Sequence, residues 1–584
     1  MSEAIQKRYA SLKQEIGNKT TVDGWILPKQ ESSWAPPGTW TNIDLDVTPP
    51  ERRTWTSWTM LGYWVSDVIT IQSWETGSTI LAVGLTWREA VLSIILGSCV
   101  MAIPLAMNGY IGAKTHIPFP VLARASFGYR FANFPIILRL FTCLFWFAIT
   151  NYLAIAPTTQ VIRAIWPSYR NVPNHIPESV GITTQQMISY FVIWTIQFPL
   201  LLVPPYKIKW LFLAKFVMVT ATVAGMVIWI CVQAGSSGDI WTQEASVTGS
   251  KKSWLVMWSI NSCTAAWSTM GVNIPDFTRY MRSPKASLSQ GIWFPLVCSW
   301  IAIIGIVVTS TSGVLYGKHI WDPVSIIDRW EGPAGRAAAF FAGLSWCLAQ
   351  ICVNISGAVI NGANDMASLS PKWINIKRGA IIIAFIGGWA LTPWKILHSA
   401  SSLLSFMNSL GIFMTPIVGI QVADFFVVKR QALDIPALYQ PEGRYSYWYG
   451  VNWRALAALI ATVAPTLPGL INAVNPDIPI GGTAYLANFN WYYGFVTSFI
   501  VYSRLSLLVP AKETLVPRMR HTPEELLEEG DTATPSEKAG HLTPALSPAS
   551  GDPFEFAVTL VTYHDKHTGT VRRGFGSGDS QVQR

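Results

Sequence analysis

Long apolar segments follow one another along this chain from about Trp58 to Pro510, and each has roughly the 20 residues that a membrane-spanning helix needs. The stretches 90–107, 216–232, 292–314 and 455–471 contain no charged residue. A soluble protein could not hide this much apolar surface in one globular core. The sequence therefore predicts an all-α protein that crosses a membrane many times.

The charged residues are few and dispersed. Only 13% of the residues are charged, half are hydrophobic, and 28 are tryptophans, which suit the aromatic belts at the two membrane interfaces. The net charge of +9 comes from Lys and Arg spread over short loops, without a basic block interleaved with exposed aromatic residues. These features predict a lipid bilayer as the surrounding partner and argue against nucleic acid.

We predict about twelve transmembrane helices in a transmembrane domain over 56–510, between a cytoplasmic N-terminal tail (1–55) and a disordered cytoplasmic C-terminal tail (511–584). The predicted spans are 56–82, 88–108, 134–163, 183–204, 209–233, 253–275, 291–316, 334–363, 379–394, 399–428, 452–472 and 488–509. Both termini are assigned to the cytoplasm, because this orientation gives the inner loops more Lys and Arg than the outer loops. Arg139 is assigned to the charges of the inner loops. Lys215, near the end of span 5 (209–233), is interpreted as a side chain that reaches the membrane interface.

The cysteine and histidine patterns argue against an enzyme or a metal protein. All seven cysteines fall within apolar segments, where they are predicted to pack as small residues. His398 is isolated, and no predicted span carries a His or Cys constellation with ligand spacing. The C-terminal tail is rich in acidic residues, Ser and Pro, and we interpret Lys512, Lys538 and Lys566 as candidate modification sites for endocytic or ubiquitination machinery.

A set of short motifs lies in order along nearly the whole chain outside the C-terminal tail. The motifs are NIDLD at 42–46, PPERRTW at 49–55, AVGLTWREA at 82–90, ASFG at 125–128, NIPDFTRY at 273–280, NGAND at 361–365, IKRG at 376–379, PW at 393–394 and GVNWR at 450–454. Their order and spacing resemble the nucleobase-cation-symport-1 family, in its fungal uracil, allantoin and uridine permease branch.

This resemblance implies a secondary active transporter of the plasma membrane. The implied fold is a five-plus-five inverted repeat like that of amino-acid/sodium symporters, with two additional helices. The implied cargo is a small heterocyclic nutrient such as uracil, allantoin or uridine. A related cluster that carries thiamine or nicotinamide riboside gives an alternative substrate, and a nutrient-sensing receptor that does not transport is an alternative of another class.

The resemblance also implies a substrate site in which two indoles hold a flat ring, namely Trp146 in span 3 and Trp267, beside Ala266, in span 6. The family usually has Gln at i+4 from the first of these, where this chain has Thr150, with Asn151 about 100° further round the helix. In span 8 the family pattern Asn-Ile-Ser-Ala-Asn is replaced by Asn354 to Ala358, so the first amide is kept and the second is absent. The loss of two amides puts a simple uracil or allantoin specificity in question.

The coupling ion is predicted to be a proton, without any other cofactor. Sodium-dependent relatives place hydroxyl ligands in span 8, whereas the matching positions here, after Ala349, are Cys352 and Val353, which ligate sodium poorly. Asp67 lies deep within span 1, which makes it a candidate proton acceptor or cation partner, or alternatively a cap at a break in that helix. Glu75 is a second candidate that is predicted to lie near the outer mouth.

Charged residues in the motifs that flank spans 6 and 8 are candidates for a cytoplasmic gate. Asp276 and Arg279 lie at the end of span 6, with Arg282 beyond them, and Asp365 lies at the end of span 8. Opposite charges at these places could close the inner end of a transport pathway, and ordinary interfacial ion pairing is the alternative. Segment 42–46 and the pair at 52–53, just before span 1, are predicted to latch onto the same loops.

Overall fold

In the computed structural model of the chain, the described residues are 23–27, 34–36, 39–41, 43–203, 209–238, 241–395, 400–475 and 477–522. The chain divides into two units, Met1–Leu526 and Leu527–Arg584, and the second unit lies outside the described residues. The predictions for Asn42, His398, Lys538, Lys566 and most of the C-terminal tail therefore concern positions outside the described part.

The described part of the chain is built from helices and contains no strand beyond isolated bridges. Its α-helices, numbered in chain order, are α1 (Ser57–Val68), α2 (Ile71–Ala82), α3 (Trp87–Thr115), α4 (Phe119–Phe127), α5 (Asn133–Leu153), α6 (Ile155–Ile165), α7 (Thr184–Leu201), α8 (Lys209–Ala234), α9 (Gly249–Ala265), α10 (Ser268–Asn273), α11 (Pro275–Thr278), α12 (Pro284–Ser287), α13 (Gln290–Tyr316), α14 (Pro323–Ile327), α15 (Gly332–Val353), α16 (Ile360–Leu369), α17 (Ile376–Phe385), α18 (Ala400–Ala423), α19 (Trp453–Val474), α20 (Thr483–Ala487) and α21 (Asn490–Leu508).

Several of these helices are suited to cross a membrane. By length and composition alone, seven stretches of the described chain qualify, namely Trp87–Thr115, Asn133–Ile165, Trp210–Ala234, Pro284–Tyr316, Gly332–Leu369, Ser409–Val428 and Trp453–Ala473. This finding agrees with a helical protein that passes the membrane several times, whereas the predicted number of about twelve spans stays a prediction.

Breaks divide spans 1 and 6 into two shorter helices each, and span 3 is interrupted at Ala154 between α5 and α6. Span 56–82 consists of α1 and α2, which are separated at Ile69 and Thr70, and the Thr70 side chain caps α2 by accepting a hydrogen bond from Ser73 N at 3.1 Å. Span 253–275 consists of α9 and α10, which are separated at Ala266 and Trp267. Broken helices leave backbone groups without helical partners in the middle of the molecule, where a ligand or ion can use them.

A different irregularity interrupts the helix that α15 begins. Residues Asn354–Val359 form a π-helical segment between α15 and α16. Such segments change the register of the side chains around them and are frequent at functional sites. Spans 1, 6 and 8, where the two breaks and this segment lie, carry most of the residues assigned to the predicted site. Two further π-helical segments, Ile386–Ala390 and Asp424–Val428, lie in spans 9 and 10.

Helices α2 and α13 approach each other at two glycines. A Cβ on Gly77 would lie 2.6 Å from Ala302 O, and a Cβ on Gly305 would lie 2.3 Å from Trp74 O. These distances leave no room for a methyl group, so glycine permits the close backbone contact that is typical of membrane helix pairs. The contact fixes the position of α2 after the break in span 1.

The segment that precedes α1 packs against loops at one end of the bundle, called here the tail end. Arg279 Nη1 donates to Asp44 O at 2.7 Å, Tyr439 OH donates to Leu45 O at 2.9 Å, and Trp55 N donates to Tyr280 O at 2.9 Å. The contacts with Arg279 and Tyr280 join this segment to the motif that flanks span 6, and the latch predicted for 42–46 and 52–53 stays a prediction. In addition, Arg53 Nε donates to Thr48 O at 2.8 Å.

Candidate functional site

A central cavity with about 630 Å³ of empty space lies between the breaks in spans 1 and 6 and the π-helical segment of span 8. Its lining residues are Asp67, Thr70, Gln72, Ser73, Thr76, Trp146, Thr150, Ala266, Trp267, Thr269, Met270, Val353, Gly357 and Ala358. The lining combines two indoles with a limited set of polar groups, a composition that is typical of small-molecule sites.

The structure brings together most of the predicted substrate residues at this cavity. Trp146 and Thr150 are one helical turn apart on α5 and both line it, together with Ala266, Trp267 and Ala358. Trp267 is held by edge-on contacts with Trp64 and Phe294, at ring-centroid distances of 6.2 and 5.2 Å.

Two predicted substrate residues, Asn151 and Asn354, are buried but are not among the lining residues. Gln197 of α7 joins them, because its Nε2 donates to Asn151 Oδ1 while its Oε1 accepts from Asn354 Nδ2 at 3.2 Å. The structure therefore places both asparagines in a buried amide chain that links α5, α7 and the π-helical segment.

Five polar lining residues were not predicted from the sequence. Gln72, Ser73 and Thr76 lie on α2, Thr70 lies at the break before it, and Thr269 lies on α10. The available signal was the run of polar side chains within an otherwise apolar span 1. These groups add donors and acceptors to a lining from which the two family amides are absent.

Asp67 lies in the last turn of α1 and is buried. Its Oδ1 accepts a hydrogen bond from Ser356 Oγ at 2.5 Å, and the same hydroxyl lies 3.0 Å from Cys352 O. The alternative prediction, a helix cap at a break in span 1, agrees with the break at Ile69 and Thr70. The hydrogen bond that the Asp67 carboxylate accepts, however, comes from Ser356 in the π-helical segment of span 8. Asp67 thus joins spans 1 and 8 at the wall of the central cavity.

The structure places Lys215 in the protein interior, so the prediction that it reaches the membrane interface is wrong. The side chain is only 1% exposed, and its Nζ donates to Ser66 O in the last turn of α1, so it does not reach the interface. Carbonyls of a last helical turn lack helical donors and attract cations. Hydropathy does not predict the burial of Lys215, because a lysine in an apolar helix has the same hydropathy value whether it faces lipid or the protein interior.

The remaining predicted coupling residues lie on α2 and α15. Ala349 and Cys352 are buried in α15, where Cys352 Sγ lies 3.8 Å from Leu211 O of α8, and Val353 lines the cavity. Glu75 is 3% exposed, so its side chain is enclosed by the protein, and its predicted place near the outer mouth stays a prediction.

The predicted gate carboxylates share a partner from outside the predicted set. Asp276 and Asp365 both form ion pairs with Arg139 of α5. Arg139 Nη1 donates to Asp276 Oδ2 at 2.8 Å, and its Nε and Nη2 donate to the two carboxylate oxygens of Asp365, with Nε at 2.7 Å. The guanidinium also lies 4.2 Å from the centre of the Phe119 ring.

This ionic cluster connects four elements. Arg139 lies on α5, Asp276 on α11 and Asp365 on α16, while Asp276 Oδ1 accepts from Phe119 N at the start of α4 at 2.8 Å. All three charged side chains are buried, so each depends on its partners for solvation. The prediction assigns Arg139 to an inner loop, whereas the structure places it on α5, where it is buried.

Arg279 has a different set of partners at the tail end. It donates to Asp44 O, and its Nη2 donates to Tyr280 OH at 2.7 Å. Its own carbonyl lies 2.8 Å from His116 Nδ1, and burial lowers the pKa of His116 to about 4. A neutral imidazole therefore supports this contact at neutral pH. Arg282 takes part through its backbone, because its N–H donates to Trp55 O at 2.9 Å.

Comparison with known proteins decides the family. Residues 47–494 match the permeases for cytosine/purines, uracil, thiamine and allantoin. The chain belongs to this family. This confirms the resemblance read from the motifs and the expectation of a membrane transporter of small heterocycles rather than an enzyme.

Relatives of this permease cover most of its length. A permease of Schizosaccharomyces pombe is 38% identical over 85% of this chain and 89% of the relative. The uracil permease of Saccharomyces cerevisiae is 31% identical over 80% of this chain and 76% of the relative. The nicotinamide riboside transporter 1 of the same yeast is 30% identical over 81% and 80%.

A solved structure shares the fold. The inward-facing conformation of Mhp1 aligns with a TM-score of 0.65 at 20% identity, and the alignment covers 85% of this chain and 98% of Mhp1. A closed conformation of Mhp1, described as a nucleobase-cation-symport-1 family transporter with bromovinylhydantoin bound, aligns with a TM-score of 0.63 at 20% identity over 82% and 97% of the two chains. The permease thus has the helical fold of that transporter.

Proposed function

We propose that this permease imports a small planar heterocycle by proton symport and binds it between Trp146 and Trp267. The observation that supports the proposal best is the central cavity, where indoles from two different spans and the buried Asp67 meet beside two helix breaks. Indole faces hold a flat ring, and hydroxyl and amide groups at its edge select among rings.

The finer architecture belongs to the same proposal. About twelve spans in a five-plus-five inverted repeat with two additional helices form the transporter domain over 56–510, with tails at 1–55 and 511–584 in the cytoplasm of a plasma-membrane protein. The broken helices α1/α2 and α9/α10 support it, since they are the first helices of the two proposed repeats. The tails are proposed contacts for endocytic and ubiquitination machinery.

We propose that polar side chains of span 1 form most of the hydrogen bonds that recognise the substrate. Gln72, Ser73 and Thr76 present an amide and two hydroxyls there, whereas Thr150 and Ala358 occupy the positions of the usual amides. Uptake of radiolabelled uracil, uridine, allantoin, uric acid, thiamine and nicotinamide riboside, measured in cells that lack their own carriers, tests this proposal directly.

A cationic ring is the second candidate substrate. Asp67 is the single charged residue among the described lining residues of the central cavity. The family includes relatives named as a nicotinamide riboside transporter and a thiamine transporter, at 30% and 29% identity. A receptor that does not transport would bind the ligand without accumulating it inside vesicles, so an accumulation assay distinguishes this alternative from a transporter.

Proton coupling is supported by the surroundings of Asp67. Lys215 Nζ already binds the backbone carbonyl of Ser66, so an ammonium stands where a free cation would otherwise find an oxygen ligand. The positions that match the family's span 8 ligands, Ala349, Cys352 and Val353, offer no hydroxyl, and the nearby Ser356 hydroxyl already donates to Asp67. The carboxylate of Asp67 is thus the proposed proton acceptor, and the lysine is its proposed electrostatic partner.

Replacement of Trp146 or Trp267 by Ala is expected to weaken apparent affinity for the transported ring. Loss of a base-to-aromatic stack costs about 1–3 kcal/mol, which corresponds to about 5- to 150-fold in KM. Initial uptake rates at several concentrations, normalised to the amount of protein at the cell surface, provide the measurement. Trp300→Ala is the matched control, because this tryptophan of α13 is 39% exposed and does not line the cavity. Unchanged affinity in both cavity variants would remove the sandwich from the proposal.

Restoring the two family amides should change specificity. The double substitution Thr150→Gln with Ala358→Asn is expected to shift preference toward uracil-like rings, since each added hydrogen bond contributes about 1 kcal/mol, or about fivefold. Competition by unlabelled ligands for uptake gives the ranking, and the two single variants serve as controls. A ranking identical to that of the parent would show that these positions do not select the substrate.

A further inference from the structure

A second cavity lies at the tail end, apart from the central cavity. It has about 780 Å³ of empty space. Its lining comes from Ala35, residues 39–41 and Leu45, from α4, from the turn before α5, from the end of α16 with Pro371 beyond it, and from Tyr439. Arg124 and Arg130 are the charged residues among its described lining, and Thr39, Thr41 and Asn133 add neutral polar groups. Such a lining favours an anion that also carries hydroxyls.

The two arginines are held at the cavity in different ways. Arg124 lies over the Tyr129 ring at 4.7 Å from its centre and donates through Nη1 to Leu438 O at 3.0 Å. Arg130 is exposed, forms no ion pair with any residue that the structure describes, and packs its alkyl stem on Gly450. A Cβ on Gly450 would lie 2.5 Å from Arg130 Cγ, so the stem follows the backbone there closely. Guanidinium groups bind phosphate through paired N–H donors.

The surroundings place this cavity near lipid. Helix α5, a candidate membrane span, begins at Asn133 in the cavity lining, and its next residue, Phe134, is 45% exposed. Trp448 and Tyr449, immediately before Gly450, are 68% and 80% exposed and contact each other at 5.6 Å between ring centres. Exposed aromatic residues at the end of a membrane helix are typical of the headgroup region.

We propose that the tail-end cavity binds the phosphorylated headgroup of an anionic membrane lipid, with Arg124 and Arg130 on its phosphates. The hydroxyl and amide groups of the lining would contact the polyol of a phosphoinositide, and Trp448 and Tyr449 would lie beside its glycerol region. Basic pockets at the ends of membrane helices recognise lipids of this class. The site is independent of the transported substrate.

Titration of a fluorescent phosphatidylinositol bisphosphate onto the purified full-length permease in detergent tests the proposal. Arg124→Gln with Arg130→Gln is expected to weaken binding about 25-fold, since each guanidinium near an anionic headgroup contributes a factor of about five. Arg130→Gln alone should weaken it about fivefold, and because this side chain is exposed, the single variant keeps the test valid if the double variant folds poorly. Arg504→Gln with Arg518→Gln, two exposed arginines outside the cavity, should leave binding unchanged.

Competition identifies the source of the anion. Phosphatidylcholine of the same chain length should not displace the labelled lipid, and soluble inositol trisphosphate should displace it only weakly, because the aromatic residues contact the lipid body. Equal binding by the parent and by both cavity variants would overturn the site. Displacement by inositol trisphosphate as strong as that by the unlabelled lipid would overturn the lipid assignment and leave a site for a soluble phosphate.

Discussion

Replacement of Arg139 by Met is expected to abolish uptake and to lower the free energy of unfolding by about 3–5 kcal/mol, since removal of one partner from a buried ionic group leaves uncompensated charge. Asp276 and Asp365 would then face each other across α11 and α16 without a cation. Thermal unfolding of the detergent-solubilised protein and the amount delivered to the cell surface measure the effect.

A charge-compensated variant separates stability from gating. Arg139→Met combined with Asp276→Asn and Asp365→Asn removes the whole ionic cluster, and its stability is expected to recover most of the loss. Uptake should stay low in this variant if the cluster also closes the tail end during transport. Arg504→Gln is the control for loss of one exposed positive charge. An Arg139→Met protein with parental stability and parental uptake would contradict both roles.

Uptake is expected to be indifferent to replacement of sodium by choline, to rise as external pH falls, and to collapse with a protonophore. A gradient of about one pH unit supports about tenfold accumulation in a one-to-one symporter, and Asp67→Asn should lose this accumulation. The variant should still exchange labelled for unlabelled substrate, because the cavity and its two indoles remain. Steady-state accumulation and counterflow in vesicles measure the two properties.

Two further variants sharpen this test. Lys215→Met removes the ammonium from Ser66 O and is expected to lower accumulation as well, while Asp328→Asn, a partly exposed carboxylate paired with Arg163 and Arg170, should have no effect. Uptake that requires sodium and ignores the proton gradient would show that backbone oxygens complete a cation site despite Cys352 and Val353.

The coarse fold could be predicted from the sequence because hydropathy is a property of contiguous residues. A window that averages an apolar stretch finds span 134–163, but it cannot find the separation of α1 from α2, since Ile69 and Thr70 are ordinary residues of an apolar span. Motif resemblance pointed to Trp146 and Trp267 because both lie in short recognisable stretches, and the structure brings both to one cavity.

The ionic contacts could not be predicted in the same way. Arg139 is 137 residues from Asp276 and 226 from Asp365 in the chain, so no local pattern connects them. Sequence proximity instead placed Arg279, three residues after Asp276, among the gate candidates, whereas its guanidinium donates to the segment before α1. The contact of Lys215 could not be predicted for a related reason. Its partner is the backbone carbonyl of Ser66, and the sequence does not distinguish this carbonyl from those of other residues.

The glycine contacts between α2 and α13 have a consequence for the cavity. Gly77 and Gly305 bring backbone against backbone without space for a methyl group, so a larger residue at either position would push the two helices apart. Because α2 carries Gln72, Ser73 and Thr76, we expect such a substitution to displace the polar wall of the cavity even though neither glycine lines it. Close packing against α13 is thus part of what positions the substrate-facing groups of α2.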